Sequence, residues 1–148
     1  MMNNNLNRFL EAQERDYDIA LSEIKVGKKK SHWMWYIFPQ ISGLGFSETA
    51  KYYEIKDIDE AKEYLNHSVL GSRLKEISNV LLGLEESDAN LILGYPDDLK
   101  LKSCMTLFAQ IDECESNIFK KVIDKFFNGN FDNTTLLILE KIRILQES

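Results

Sequence analysis

The fold is decided by the stretch NRFLEAQERDYDIALSEIKVG, residues 7–27, in which apolar side chains return at the spacing of an α-helix. Side chains three, four or seven positions apart lie on one face of a helix. The spacing therefore predicts an amphipathic helix from about Asn7 to Val26, which ends at Gly27. Its apolar face comprises Leu6, Phe9, Leu10, Tyr17, Ala20, Leu21 and Ile24.

Capping signals predict further helices along the chain. Ser47 marks the start of a short helix through Tyr53, and Asp57 with Glu60 forms the pattern of a capping box that opens a helix to about Asn66. The other predicted boundaries are Ser68 as a cap, Ser87 to Leu93 as a short helix ended by Gly94, Pro96-Asp97-Asp98 as a helix start, Asn128-Gly129 as a stop, and Asn133 as the cap of the last helix.

Signals for a β-sheet are weak in this chain. Period-two alternation is scarce, and only Ile41 and Ile55 are candidates for short extended pieces. The chain has two prolines and seven glycines, fewer turn residues than an all-β sandwich needs. We therefore predict an all-α fold, a single-domain compact multi-helix bundle over residues 1–148 with a structured aromatic loop.

Composition narrows the class of partner. A chain of 148 residues, 44% hydrophobic and 28% charged, is typical of a soluble globular domain. Its net charge of −6 repels phosphate backbones and makes nucleic acid an unfavourable partner. We expect no membrane span and, because Met1-Met2-Asn3-Asn4-Asn5 lacks the pattern of a signal peptide, a cytoplasmic protein.

Residues 28–48, KKKSHWMWYIFPQISGLGFSE, concentrate aromatic side chains beside three lysines. Pro39, Gly43 and Gly45 interrupt the segment, which predicts a short helix and a structured loop. In one interpretation the large side chains simply belong to the core, because burial of aromatic area is itself stabilising.

A pocket is the other interpretation of this segment. Rigid aromatic walls at Trp33 and Trp35, polar groups at His32 and Gln40, and a close-approach glycine pair are features of small-molecule sites. Aromatic rings beside lysines such as Lys30 would also suit a stacked base with its phosphate.

Three polar side chains are predicted on or beside apolar helix faces. Gln13 falls within the stripe of the first helix, Arg73 close to the stripe of the helix after residue 68, and Lys100 beside the stripe of the helix opened by Pro96. A buried polar group needs a partner, and an arginine near a core suits a carboxylate or a phosphate. The structural alternatives are internal hydrogen bonds and, for the two cations, extension of the charged end to solvent.

Motifs of well-known reaction classes are missing from the sequence. His32 and His67 are the two histidines, and neither has metal-ligand spacing, so no metal site and no cofactor are predicted. Cys104 and Cys114 make no CxxC motif, and the chain has no GxxxxGK[ST], GxSxG or HExxH pattern.

The chain resembles the DUF1810 family through three blocks: RFLEAQERDYDIALSEIKVGKKKSHWMWYIFPQISGLGFS, then YLNHSVLGSRL, then GYPDDLKLKSCMTLF. The resemblance implies a mainly α-helical protein and brings no established activity, although some bacterial members carry a calpastatin label. The family pattern includes positions that match Gln13, Tyr17, Ser31, His32, Trp33, Trp35, Pro39, Gln40, Gly43, Gly45, Ser47, His67, Gly71, Arg73, Asp97, Lys100, Ser103, Met105 and Thr106.

The first functional hypothesis is a binding protein or an enzyme for a small anionic molecule, such as a nucleotide or a sugar phosphate; the sequence leaves open which of the two it is. Trp33 and Trp35 would form the wall, while Arg73, Lys100 and Lys30 would hold the anion. The other proposed roles are catalysis for His32 and His67, acting on water, and substrate contact for Gln13, Tyr17 and Gln40.

Two alternatives remain at this stage. In one, the Trp-rich segment is an exposed hot spot of a non-catalytic interaction module, whose protein partner is unknown. In the other, the protein is a helical scaffold whose polar residues tie helices together. The hypotheses differ in whether Gln13, His32, Gln40, Arg73 and Lys100 line one cavity.

Overall fold

The computed structural model describes residues 5–147. The expectation for the Asn-rich amino terminus concerns residues 1–5 and therefore lies almost wholly outside the described residues. Within that range the chain forms α1 (Asn7–Lys25), α2 (Met34–Ile37), α3 (Glu48–Tyr53), α4 (Ile58–Asn66), α5 (Leu70–Gly83), α6 (Ala89–Leu93), α7 (Asp97–Ile111), α8 (Ile118–Phe127) and α9 (Asn133–Glu147).

Observed caps confirm two of the predicted helix starts. Ser47 Oγ accepts a hydrogen bond of 3.1 Å from the backbone of Ala50, and Asp57 Oδ1 accepts one of 2.8 Å from the backbone of Glu60. These side chains satisfy amide groups that a helix leaves unpaired in its first turn.

Two predicted caps are wrong. Where Ser68 was expected to cap α5, His67 Nδ1 accepts hydrogen bonds from the backbone of Val69 at 3.1 Å and Leu70 at 3.2 Å. At α9 the cap is one residue before Asn133, because Asp132 Oδ2 accepts a bond of 3.0 Å from the Thr135 backbone. A ring nitrogen and a carboxylate are both good acceptors, so the sequence alone did not separate them from their neighbours.

Helix α7 lies at the centre of the packing. It contacts α4, α6, α8 and α9, while α5 contacts α1, α4 and α8, and α2 bridges α1 and α3. The interior contains large fully buried side chains from several of these helices, including Phe9, Trp33, Tyr64, Phe108 and Phe119. Burial of each such side chain stabilises the fold by about 1.5–3 kcal/mol.

The prediction of an all-α fold is confirmed. In the part of the chain that the structure describes, the extended backbone amounts to one isolated parallel bridge between Ile41 and Ile55. Both isoleucines are buried. This bridge joins the aromatic loop to the end of α3 and forms one wall of a cleft.

Candidate functional site

A cleft of about 270 Å³ opens between α2, the loop before α3, and the first turns of α7. Its wall is mainly apolar, with a smaller number of polar and charged groups. The lining residues are Met34, Trp35, Phe38, Gln40, Ile41, Leu44, Gly45, Ala50, Tyr53, Glu54, Pro96, Leu99, Lys100, Ser103, Asp132 and Thr134. This volume is slightly below the range of typical ligand sites, which run from about 300 to 1,000 Å³, and therefore suits a small molecule.

Trp35 and Lys100 form the polar end of one wall. The Lys100 ammonium lies 5.1 Å from the centroid of the Trp35 ring, within the range of a cation–π contact. Trp35 is the half-buried exception among the large side chains of α2, whose Met34, Tyr36 and Ile37 are buried. Part of the Trp35 ring is therefore available to a molecule in the cleft.

Asp97 holds Lys100 in place from the start of α7. Its Oδ1 lies 3.6 Å from Lys100 Nζ, and its Oδ2 lies 3.0 Å from Lys29 Nζ. The Lys29 ammonium in turn lies 5.0 Å from the centroid of the Trp33 ring. One carboxylate thus links two lysines that each face a tryptophan. The helix macrodipole disfavours a cation near the amino terminus of a helix. The ion pair with Asp97 compensates for this effect and explains why Lys100 is tolerated in the first turn of α7.

The bridge between Ile41 and Ile55 forms the opposite wall. The Ile55 backbone donates a bond of 2.8 Å to the Gln40 carbonyl, so Gln40 and Glu54 are neighbours across this pairing. Both residues are half-buried and line the cleft. Gly45 allows the loop to approach α3, because a Cβ built there would lie 2.5 Å from the Ala50 Cβ.

Ser103 and Asp132 lie at the end of the cleft next to α9. Asp132 Oδ2 accepts hydrogen bonds from Ser103 Oγ at 3.3 Å and Thr135 Oγ1 at 2.5 Å. Ser103 Oγ is also 3.2 Å from the Leu99 carbonyl. The Asp132 carboxylate therefore serves mainly as the cap of α9.

Glu23 organises the loop that carries the lysine run. Its carboxylate accepts bonds from the backbones of Lys30 at 2.8 Å and Ser31 at 3.0 Å, from Ser31 Oγ at 2.6 Å and from Trp33 Nε1 at 2.9 Å. Trp33 is 1% exposed and belongs to the core. Lys30 is exposed and contributes its backbone rather than its ammonium.

Gln13, Tyr17 and Arg73 form a separate cluster between α1 and α5. Gln13 Nε2 donates to the Tyr36 carbonyl at 2.8 Å and to the Tyr64 hydroxyl at 2.9 Å, and its Oε1 lies 3.4 Å from Arg73 Nη1. The Arg73 guanidinium lies 5.1 Å from the Tyr17 ring centroid. The buried amide is therefore fully partnered inside the protein.

The Tyr17 hydroxyl completes this cluster. Its one proton is donated to Glu76 Oε1 at 2.5 Å, and its oxygen also lies 3.0 Å from the Arg73 carbonyl oxygen. Burial and the adjacent Glu76 carboxylate raise the pKa of Tyr17 well above its usual value, so the hydroxyl stays protonated.

The two histidines lie apart from the cleft lining. His32 is exposed, and its carbonyl accepts from the Tyr36 hydroxyl at 3.3 Å. His67 caps α5 through Nδ1. Neither imidazole lines the cleft, and their proposed catalytic roles stay predictions.

The structure therefore divides the residues that the sequence grouped in one site. Trp35, Gln40 and Lys100 meet in the cleft, whereas Gln13 and Arg73 meet between α1 and α5. Sequence reasoning missed the contributions of Glu54, Ser103, Asp132 and Tyr53. Ser103 lay in the recognised family pattern, but no periodicity signal points to Glu54 or Asp132, because their position depends on loops that approach one another in space.

Clusters of metal-ligating side chains and long apolar helices are both absent from the described residues. Among residues 5–147, no group of three or more His, Cys, Asp or Glu side chains is placed to hold a metal ion. Within the same range, no helix combines the length and the apolar character that a bilayer crossing requires.

Comparison with known proteins places the chain in a family. The family model described as protein of unknown function (DUF1810) matches residues 3–139, so the chain belongs to the DUF1810 family. A solved structure, that of the conserved hypothetical protein Rv1873 from Mycobacterium tuberculosis, is similar with a TM-score of 0.89 and 39% sequence identity. The match covers 92% of this chain and 96% of that one. No curated protein matches the sequence.

Proposed function

We propose that this protein binds a small planar polar molecule, such as a nucleobase or a nucleoside, in the cleft between α2 and α7. The observation that carries the proposal is the pairing of a half-buried Trp35 ring with a Gln40 side-chain amide that has no partner among the described residues. An aromatic side chain can stack on the face of a ligand ring. An amide without a hydrogen-bond partner at the same cleft can bind the polar edge of that ring.

The charges in the lining favour a ligand with little net negative charge. Among the described residues that line the cleft, Lys100 is the one cation, while Glu54 and Asp132 are carboxylates. Arg73 and Lys30, the other expected anion contacts, lie outside the lining. A phosphate group would meet one partly engaged ammonium and two like charges. A base or nucleoside therefore fits the cleft better than a nucleotide or a sugar phosphate.

The environment of the tryptophans supports a pocket rather than an exposed protein-binding surface. The indole of Trp33 is buried and bonded to Glu23, and Trp35 exposes only part of its ring at the cleft. A hot spot for a protein partner would present these rings at the surface.

Binding can be tested by a thermal-shift screen followed by calorimetry with adenosine, guanosine, cytidine, their monophosphates and glucose 6-phosphate. We expect nucleosides to raise the melting temperature by mass action. Trp35→Ala should weaken binding by about 5- to 150-fold, because stacking on an aromatic ring contributes about 1–3 kcal/mol per base. Gln40→Leu should weaken it by about 2- to 10-fold, the value of one neutral hydrogen bond.

Arg73→Gln is the matched control, since it removes a charged side chain that lies outside the cleft. Affinity should be unchanged in this variant. The proposal fails if no nucleoside binds, or if binding survives Trp35→Ala and disappears in Arg73→Gln.

A further inference from the structure

We infer that Glu54 and Gln40 together select a ligand with an amino-substituted ring edge, of the aminopurine or aminopyrimidine class. The inference rests on the proposed function of the cleft and specifies the chemistry of its ligand. It assigns Glu54 the role of specificity determinant.

The parallel bridge places the two side chains next to each other. Ile41 pairs with Ile55, the Ile55 amide donates to the Gln40 carbonyl at 2.8 Å, and the Ser42 amide donates to the Ile55 carbonyl at 2.7 Å. Gln40 directly precedes Ile41, and Glu54 directly precedes Ile55. In a parallel pairing, residues 40 and 54 therefore lie side by side on the two segments. Both residues line the cleft.

Neither side chain is committed to another described residue. Glu54 uses its backbone carbonyl to accept a bond of 2.7 Å from Arg8, but its carboxylate takes part in no hydrogen bond or ion pair within residues 5–147. Lys51 and Lys56 border a neighbouring hollow with Glu54, yet neither forms an ion pair with it. A half-buried carboxylate without a partner retains its capacity to bind donors from a ligand.

The hydrogen-bonding capacity of the pair defines the complementary edge. An ionised carboxylate only accepts, and its two oxygens can accept from two parallel N–H groups. The adjacent amide supplies one further acceptor and a donor. The carboxylate can accept hydrogen bonds from a ring N–H and from an exocyclic NH₂ beside it. The amide N–H of Gln40 can donate to a ring nitrogen or a carbonyl oxygen on the other side of that ring N–H. A ligand ring that stacks on Trp35 can present this edge to the opposite wall.

The test is calorimetry with two pairs of compounds that differ only by the amino group: guanosine with inosine, and isocytosine with pyrimidin-4-one. In the unaltered protein the amino member of at least one pair should bind about tenfold more tightly, because hydrogen bonds to a charged acceptor are the stronger kind. Glu54→Gln should abolish this preference. Trp35→Ala should weaken both members of a pair by the same factor.

The outcomes separate this inference from the proposed function. Equal affinity within both pairs, together with loss of binding in Trp35→Ala, overturns the role of Glu54 and leaves the cleft as the binding site. Absence of binding by every compound overturns both. If Glu54→Gln does not fold, the comparison of the pairs in the unaltered protein still decides the selectivity for an amino group.

Discussion

At the scale of single residues, the carboxylate of Glu23 fixes the loop that precedes the tryptophans. It accepts hydrogen bonds from the backbones of Lys30 and Ser31, from the Ser31 hydroxyl and from the Trp33 indole. Partial burial acts to raise the pKa of Glu23, but the bonds from Ser31, Lys30 and Trp33 outweigh it and lower the pKa from 4.5 to about 2. The ionised form is therefore the one that holds the loop.

This shift predicts a pH dependence of stability. A carboxylate with a lowered pKa in the folded state contributes stability above its unfolded pKa, and this contribution is lost as the pH falls through the folded value. The relevant window runs from 4.5 down to about 2. Glu23→Gln should reduce the free energy of unfolding at pH 7 by about 1–3 kcal/mol, because an amide cannot accept all these bonds.

The measurement is urea unfolding of both proteins at several pH values from 7 to 2. The difference in the free energy of unfolding between the unaltered protein and Glu23→Gln should decrease as the pH falls from 4.5 to about 2. A difference that is constant from pH 7 to pH 2 would show that ionisation of Glu23 does not stabilise the loop.

At the scale of elements, the packing of α4 against α5 depends on one glycine. A Cβ built on Gly71 would lie 1.9 Å from the carbonyl oxygen of Leu65, a distance that no side chain can adopt. Leu65 lies in α4, and Gly71 is the second residue of α5. The short turn capped by His67 therefore brings two backbones together at a point where only hydrogen fits.

Gly71→Ala should lower the free energy of unfolding by about 2–3 kcal/mol, since a backbone carbonyl cannot move aside as a flexible side chain would. The matched control is Gly83→Ala at the other end of α5, where a Cβ would meet nothing within 4 Å. That change should be neutral or stabilising by up to about 1 kcal/mol, the helix propensity gain of alanine over glycine. Equal midpoints of chemical denaturation for the two variants would refute the close contact.

At the scale of the whole molecule, a buried ion pair ties α1 to α4 and to the wall of the cleft. Arg8 and Glu60 are 9% and 2% exposed, and Arg8 Nη2 lies 2.9 Å from Glu60 Oε1. Arg8 also donates to the backbone carbonyls of Tyr52 at 2.8 Å and Glu54 at 2.7 Å. The segment that carries Glu54 is thus anchored by a residue near the start of the chain.

Removal of one member of this pair leaves an uncompensated buried charge. Arg8→Met and Glu60→Leu should each reduce the free energy of unfolding by about 3–5 kcal/mol. In the double variant, the reduction in the free energy of unfolding should be smaller than the sum of the two single reductions, because no unpaired buried charge remains. Chemical denaturation of the three variants measures this coupling. Additive losses would mean that the two side chains do not stabilise each other.

Several features of the fold were predictable because they depend on local sequence. The apolar spacing of residues 7–27 predicted α1 within one residue of its observed end, and Ser47 and Asp57 predicted the caps of α3 and α4. Where local chemistry offered two acceptors side by side, as at His67 and Ser68, the sequence predicted the helix but named the wrong cap.

The sequence by itself determined most of the helices and the position of the aromatic segment, and it named Trp35, Gln40 and Lys100 only as members of a larger predicted site. Only the tertiary structure decided that Trp33 lies in the core and that Arg73 pairs with Gln13 elsewhere. Helical periodicity gives the face on which a side chain lies, but not which face of another element meets it. Glu54 faces the cleft because residues 41 and 55 pair across the fold, and that pairing depends on packing of the whole chain rather than on any local pattern.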